Sequence, residues 1–314
     1  MNPLMGPRSK ASLLGCLARF FHAQSPSRIS ADCPTPRASA VSNRRCREWA
    51  LALISCVTAC GGARTQGAAA EGGDVRQGDR DHAVVDHPKV RKTVREALGA
   101  ADRTFADRAV DERLHSAEVL SFVAPSGALR IADLAPGDGY FTELLLRIVG
   151  DRGAVFVPSE IDDAELSPAW SRRLARPAMA RAKRFDGDLR KALPRDATSL
   201  DLVVSIFGYH QAVFQDIDRA AMNALVRAAL RSGGRYVVLD RQARVGGGLG
   251  DARTLRRIDA ALVRHEIEAA GFVLEAEATL LRDPHDAHDW RASDAATTSE
   301  RGEGDRFVFA FAKR

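Results

Sequence analysis

Apolar and polar positions fall into a regular pattern only from about residue 86 onward. There, short apolar runs alternate with stretches whose apolar residues recur every three to four positions. The segment 86–123, periodic and highly charged, predicts two leading helices. Strands are expected at 128–134 (ALRIADL), 153–159 (GAVFVPS), 183–188 (KRFDGD), 200–210 (LDLVVSIFGYH) and 235–241 (RYVVLDR). The run 200–210 is continuously apolar, as in a parallel-sheet strand covered on both faces. Helices are expected at 140–150, at 167–182 with an interruption near Pro177, at 216–234 and at 251–272. Two last strands, 273–281 and 306–314, have only the polar, turn-rich segment 282–305 between them, so they should be antiparallel neighbours. Strands alternating with helices over this length predict a doubly wound α/β fold with a mostly parallel sheet.

The N-terminal part reads differently. Residues 1–43 are rich in Ser, Pro, Ala and Arg and carry no helical or strand period. Residues 44–62, RRCREWALALISCVTACGG, place three arginines before an apolar run from Trp49 to Ala59. That run is too short for a stable membrane-spanning helix, which needs about 20 residues, and has the layout of a secretory signal. The expected division is a leader and signal over 1–59, a flexible tether over 60–85 and a folded domain over 86–314. A signal beginning so far into the chain suggests a translation start near Val41.

Charge and cysteine usage sharpen this division. The chain's +5 is concentrated at its start: residues 1–59 hold eight Lys/Arg and two Asp/Glu, a net of +6, which leaves −1 for the rest. No basic stripe interleaved with aromatics remains, so nucleic acid is not an expected partner. All five cysteines (Cys16, Cys33, Cys46, Cys56 and Cys60) precede the folded domain, which therefore has no thiol nucleophile or cysteine zinc site. Its histidines are scattered, and no bound metal is expected.

The chemistry concentrates in IADLAPGDGYFTELL, residues 131–145. An apolar strand ends in Asp133, passes through a loop with Gly137 and Gly139, and enters an amphipathic helix. Such a turn sits at the C-terminal end of the sheet, where open α/β folds bind ligands. A dinucleotide fingerprint requires a third glycine where Thr142 stands. A carboxylate at the strand end suits a ligand bearing an ammonium better than one bearing a pyrophosphate. Ala135 stands where a preceding glycine is common; its methyl is tolerable if its φ is negative.

This stretch resembles motif I of class I S-adenosylmethionine-dependent methyltransferases. LDLVVSIFGYHQ resembles the fourth strand and motif IV of that family, and LVRAALRSGGRYVVLDRQ its following helix, turn and fifth strand. The C-terminal segments resemble a bacterial group of predicted methyltransferases. The resemblance covers roughly residues 87–314. It implies a Rossmann-like seven-stranded methyltransferase sheet, doubly wound, with the last strand antiparallel between the fifth and sixth. It also implies that S-adenosylmethionine is the cofactor, and a small molecule is the expected acceptor. Asp133, Ala135, Gly137 and Gly139 would line the methionine end, Asp138 of the same loop would also belong to the cofactor site, Glu160 would serve the ribose from two residues beyond the usual position, and Asp188 would serve the adenine edge. Tyr209 and His210, at the expected end of the fourth strand, would face the transferred methyl, with His210 as the base. Related sequences often carry an acid after this Tyr-His pair, and here Gln211 follows. Asp240 and Arg241 are second candidates on the acceptor side. Trp290 would either cover the pocket or anchor its loop.

Val57-Thr58-Ala59-Cys60 resembles the lipobox of bacterial lipoproteins, which implies lipid attachment at Cys60 and a place at the cell envelope. That address conflicts with a cytosolic cofactor. Three readings stay open: a cytoplasmic methyltransferase with a coincidental lipobox, an exported, lipid-anchored binding module of the same fold, or an exported methyltransferase whose cofactor reaches that compartment by another route.

Overall fold

The structure, a computed structural model, describes residues 88–123, 129–161, 167–292 and 300–314. The leader, Cys60 and the tether lie outside the described residues. The strongest apolar runs form the middle of one sheet: β1 (Arg130–Asp133), β4 (Leu200–Ile206) and β5 (Leu230–Arg241). β2 (Ala154–Pro158) and β3 (Lys183–Phe185) extend it on one side, β6 (Val273–Ala278) and β7 (Arg306–Ala312) on the other. The order is β3-β2-β1-β4-β5-β7-β6, and β7 alone runs antiparallel, between β5 and β6. This is the Rossmann-like methyltransferase sheet expected from the sequence.

Side-chain alternation divides the core between the two faces of the sheet. Val237 and Leu239 of β5, with Val308 and Ala310 of β7, join one cluster. It also takes in α1 (Pro88–Leu98), α3 (Ser116–Val123) and α4 (Tyr140–Val149). Tyr236 and Val238, with Phe307, Phe309 and Phe311, join the other, with α7 (Arg219–Ala229) and α9 (Ala260–Ala269). Helices therefore cover both faces, and the sheet's C-terminal edge is left for loops.

Four boundaries depart from expectation. The leading segment forms three helices, because His115 takes φ 52° and separates α2 (Phe105–Arg113) from α3. The helix expected at 216–234 stops at Ala229 and Leu230 already opens β5, whereas the break expected near Pro177 is present, between α5 (Ser167–Leu174) and a 3-10 turn at Pro177–Met179. The segment 251–272 splits into α8 (Gly250–Thr254) and α9, because Ile258 pairs with Gln242 beyond β5 and Asp259 caps α9. Most consequential, the fourth strand stops at Ile206. Phe207 takes φ 56°, and Tyr209 and His210 open a short helix, α6 (Tyr209–Phe214), instead of ending the strand.

One ionic network fastens α2, α4 and α5 beside the site. Arg173 Nη1 lies 3.1 Å from Asp107 and 2.8 Å from Glu143; Arg176 Nη1 lies 2.8 and 2.9 Å from the same two acids. Burial alone would raise both carboxyl pKa values. For Asp107, bonds from the Thr104 backbone, Arg176 and the Thr104 hydroxyl outweigh it; for Glu143, bonds from Arg147 and Arg173 do. Both acids therefore titrate below their ordinary range. A depressed folded-state pKa contributes stability above the unfolded value and loses it as pH falls. Urea unfolding should thus show stability falling from about pH 5 downward, and a D107N/E143Q double variant, less stable at neutrality, should lose less on acidification, by the share of these two acids. An unchanged acid loss in the double variant would overturn this assignment.

Candidate functional site

Two adjoining cavities open at the C-terminal edge of the sheet, of 660 Å³ and 600 Å³. Ala135, Pro136, Gly137 and Gln211 line both, so the β1–α4 loop forms the partition between them. Volumes of this size suit a bound small molecule.

The first cavity lies over β2 and β3. Glu160, Asp186 and Asp188 bring three acids to its wall. Glu160 reaches it despite its late position, because Ser159 N–H donates to Phe185 O (2.7 Å) and Ser159 O accepts from Trp170 Nε1 (3.2 Å), which fixes the chain after β2. Asp188 lines the cavity with both oxygens engaged: Arg190 Nε lies 2.8 Å from one and Nη2 2.9 Å from the other. Burial opposes ionisation of Asp188, but the bonds from Arg190 prevail and hold its pKa below the usual range.

The second cavity holds Asp133, Asp138 and His210. Asp133 is only 1% exposed. It accepts from Thr142 Oγ1 (2.6 Å) and weakly from Ala135 N–H (3.3 Å). Thr142, standing where a dinucleotide site has a glycine, thus serves the strand-end acid. Burial pushes the Asp133 pKa up to about 6 against those two bonds. Asp138 accepts from Tyr140 N–H at 3.0 Å and pairs with Arg173 at 3.4 Å. Gly137 takes φ 58°, and no atom lies within 4 Å of where its Cβ would stand, so the backbone there is open to the cavities.

Gly139 lines neither cavity. A Cβ there would stand 2.9 Å from the Trp170 ring, so this glycine allows α5 to pack on the start of α4. Tyr209 also lines neither cavity and is fully buried. Its hydroxyl donates to Glu266 (2.8 Å) and accepts from Asn223 (2.9 Å), between α7 and α9. Of the Tyr-His pair, only His210 faces the candidate site, because consecutive residues at a helix start point in different directions.

His210 is fixed by an acid that sequence spacing did not reveal. Its Nδ1 lies 2.6 Å from Asp240 Oδ1, while Asp240 Oδ2 accepts the N–H groups of Tyr209 and His210, each at 2.9 Å. Asp240 is fully buried; burial raises its pKa, but the charge of and bonds from His210, with the Arg241 N–H, bring it below the ordinary range. An ionised carboxylate only accepts, so Nδ1 carries a proton, and in the neutral ring the lone pair is on Nε2. Asp240 takes the orienting place left vacant by Gln211.

Sequence reading missed Arg113, Arg256, Phe207 and Glu303 in this cavity. Trp290 is an anchor: its Nε1 donates to Asp286 (2.8 Å), and Arg257 stacks on its ring at 4.5 Å. The segment 282–305 reaches the cavity through Ala292 and Glu303 instead. No group of acids, histidines and cysteines able to hold a metal occurs among the described residues.

No family model matches the chain. It is 31% identical over 121 residues to the ubiquinone/menaquinone biosynthesis C-methyltransferase UbiE of Teredinibacter turnerae. That match takes in 38% of this chain and 45% of the relative, so the chain spans less than half of that enzyme's length. Among solved structures it is similar to a SAM-dependent methyltransferase from Aquifex aeolicus, with 12% identity, TM-score 0.44, and 73% and 95% of the two chains covered. It is also similar to a methyltransferase-like protein from Bacillus halodurans, with 13% identity, TM-score 0.43, and 63% and 97% covered.

The loop's one departure from a glycine-rich form has a local counterpart. Ala135 does not adopt a positive φ, and a Cβ added at Gly208 would run into the Ala135 methyl and the Ser205 hydroxyl. Gly208→Ala should therefore lower stability by about 1–3 kcal/mol, as overpacking does, and Ala135→Gly in the same chain should restore much of it. Thermal unfolding of the three variants checks this; equal losses with and without Ala135→Gly would refute the contact.

Proposed function

We propose that this chain is an S-adenosylmethionine-dependent methyltransferase acting on a small-molecule acceptor. The observation that carries the reading is the pair of cavities divided by the β1–α4 loop, with a strand-end acid in one and three acids over β2 and β3 in the other. The curated relative, named a C-methyltransferase, supports it, as does the strand order.

The residues present fit such a cofactor. Asp133 is buried, weakly satisfied and placed to meet an ammonium at the methionine end. Gly137 leaves backbone open beside it, and Glu160 lies where ribose hydroxyls would be held. Asp188 would meet the adenine side only by sharing its carboxylate with Arg190. When bound, S-adenosylmethionine supplies an electrophilic methyl on a positively charged sulfur. The chain's own work is then to position the nucleophile, exclude water and accept a proton. His210 is the base, and its Nε2 would take the proton that the acceptor's nucleophile gives up. Asp240 is a positioning residue that holds the ring and keeps Nδ1 protonated.

Calorimetric titration with S-adenosylmethionine and S-adenosylhomocysteine tests the reading. Both should bind; absence of binding by either at millimolar concentration would overturn it. Asp133→Ala should lower the affinity by at least about tenfold, as expected for loss of a charged partner. Because Asp133 must ionise to meet an ammonium, wild-type affinity should weaken as pH falls through about 6, and Asp133→Asn should remove that dependence.

A further inference from the structure

The acceptor side of the second cavity carries an unbalanced group of guanidiniums. Arg241 ends β5 and stands directly opposite Arg306 of β7 in the antiparallel register. Alternation puts both on the face that carries Val237, Leu239, Val308 and Ala310, the face covered by the leading helices. Arg113, at the end of α2, joins them from above. Like charges directly opposite one another on neighbouring strands are destabilising, and burial makes this worse.

Two of the three cations are poorly satisfied. Arg306 is 4% exposed, and its Nε and Nη1 have no hydrogen-bond partner among the described residues; neither has Arg241 Nε. Arg241 stacks on the Phe207 ring at 4.1 Å. Nearby acids are engaged elsewhere: Asp240 with His210, Asp286 with Arg257, and Asp305 with Arg282 and His288. Asp138, in the same cavity, pairs with Arg173 at 3.4 Å, and among the described residues the carboxylate in contact with the group is Glu303, in ion contact with Arg113 and 3.6 Å from Arg241 Nη2. Its side chain is 3% exposed, and neither oxygen makes a directed hydrogen bond. Arg113 and Glu303 line both this cavity and a neighbouring one of 360 Å³, whose wall includes Arg306. Burial pushes Arg241 and Arg306 each down to about 10, and neighbouring guanidiniums add to the effect.

We infer that the acceptor is an anion, bearing a carboxylate or a phosphate, and that Arg241 and Arg113 bind its charged group, with Arg306 behind them and Glu303 as the internal carboxylate it displaces. Planar guanidiniums suit either oxyanion. The inference rests on the methyl-transfer reading, because the same arginines could otherwise receive the carboxylate of the cofactor's own methionine end.

The test titrates the full chain, free and loaded with S-adenosylhomocysteine, with sodium phosphate, sodium benzoate and, as a neutral control, benzamide. One of the two anions should bind the loaded protein saturably in the millimolar range, and benzamide should not. Which anion binds identifies the headgroup. Arg241→Gln and Arg113→Gln should each weaken anion binding by about tenfold, equivalent to about 1.4 kcal/mol. The Arg113 side chain is 48% exposed, so that variant keeps the test alive if Arg241→Gln does not fold. Glu303→Gln should strengthen anion binding several-fold, which a merely structural glutamate would not do. The inference is overturned if neither anion binds wild type or Glu303→Gln, if the arginine variants bind unchanged, or if anions bind only without S-adenosylhomocysteine. That last result would assign the arginines to the cofactor's carboxylate. S-Adenosylhomocysteine affinity, read in the same titrations, tests the methyl-transfer reading separately: its loss with anion binding retained would remove that reading and leave the anion site standing.

Discussion

The wall of the second cavity is organised around one buried carboxylate, Asp240. It sits at the end of β5 with no solvent access, where an isolated charge is untenable. Four donors make it tenable: the N–H groups of Tyr209, His210 and Arg241, and the His210 ring. Two of these are the first N–H groups of α6, whose own N-cap residue, Gly208, offers no side chain. The cap is therefore supplied from a neighbouring strand. Fixing that helix start decides everything nearby: the turn at Phe207, the close contact of Gly208 with Ala135, His210 at the cavity and Tyr209 in the core.

Asp133 is its counterpart across β4, and the contrast between the two is informative. Both are buried acids at C-terminal strand ends, flanking β4. Asp240 is saturated with donors and titrates low; Asp133 has one good bond and one long one, and titrates near 6. A saturated carboxylate holds structure together. An undersatisfied one retains capacity for a charged ligand. Two acids pushed in opposite directions by their surroundings commonly mark a division of roles.

The same distinction separates what was legible in the sequence from what was not. Apolar runs and their alternation with helical stretches gave the sheet, because burial on two faces imposes those periods directly. The strand end before Asp133 and the open backbone at Gly137 were legible for a similar local reason. The overrun of 200–210 was not avoidable by pattern: Phe207 to His210 continue the apolar run, and the acid that turns them into a helix lies 30 residues away from His210. The packing part of Gly139 was not legible, because a packing glycine and a ligand-approach glycine look alike until Trp170 is placed against one of them. The arginine group was invisible for the plainest reason: Arg113, Arg241 and Arg306 meet only through strand register and helix packing.

The long polar segment after β6 completes the site by being pinned at both ends. Asp286 takes Arg257 and Trp290, while Asp305 takes Arg282 and His288. The Asp305 N–H also donates to Asp286 at 2.7 Å, so the two anchors are tied to each other. Glu303 lies just before the second anchor, and its backbone position is therefore set before its side chain meets any arginine. The guanidiniums come from elements whose positions the core fixes: Arg241 and Arg306 from paired strands, Arg113 from a helix held by the Asp107 network. Charges mounted on rigid elements cannot move apart to relieve their repulsion, so the relief has to be delivered to them. Among the described residues that relief comes from Glu303, in contact with Arg113 and Arg241, and from the fields of Asp240 on Arg241 and Asp305 on Arg306; the proposed anion would add to it from the cavity.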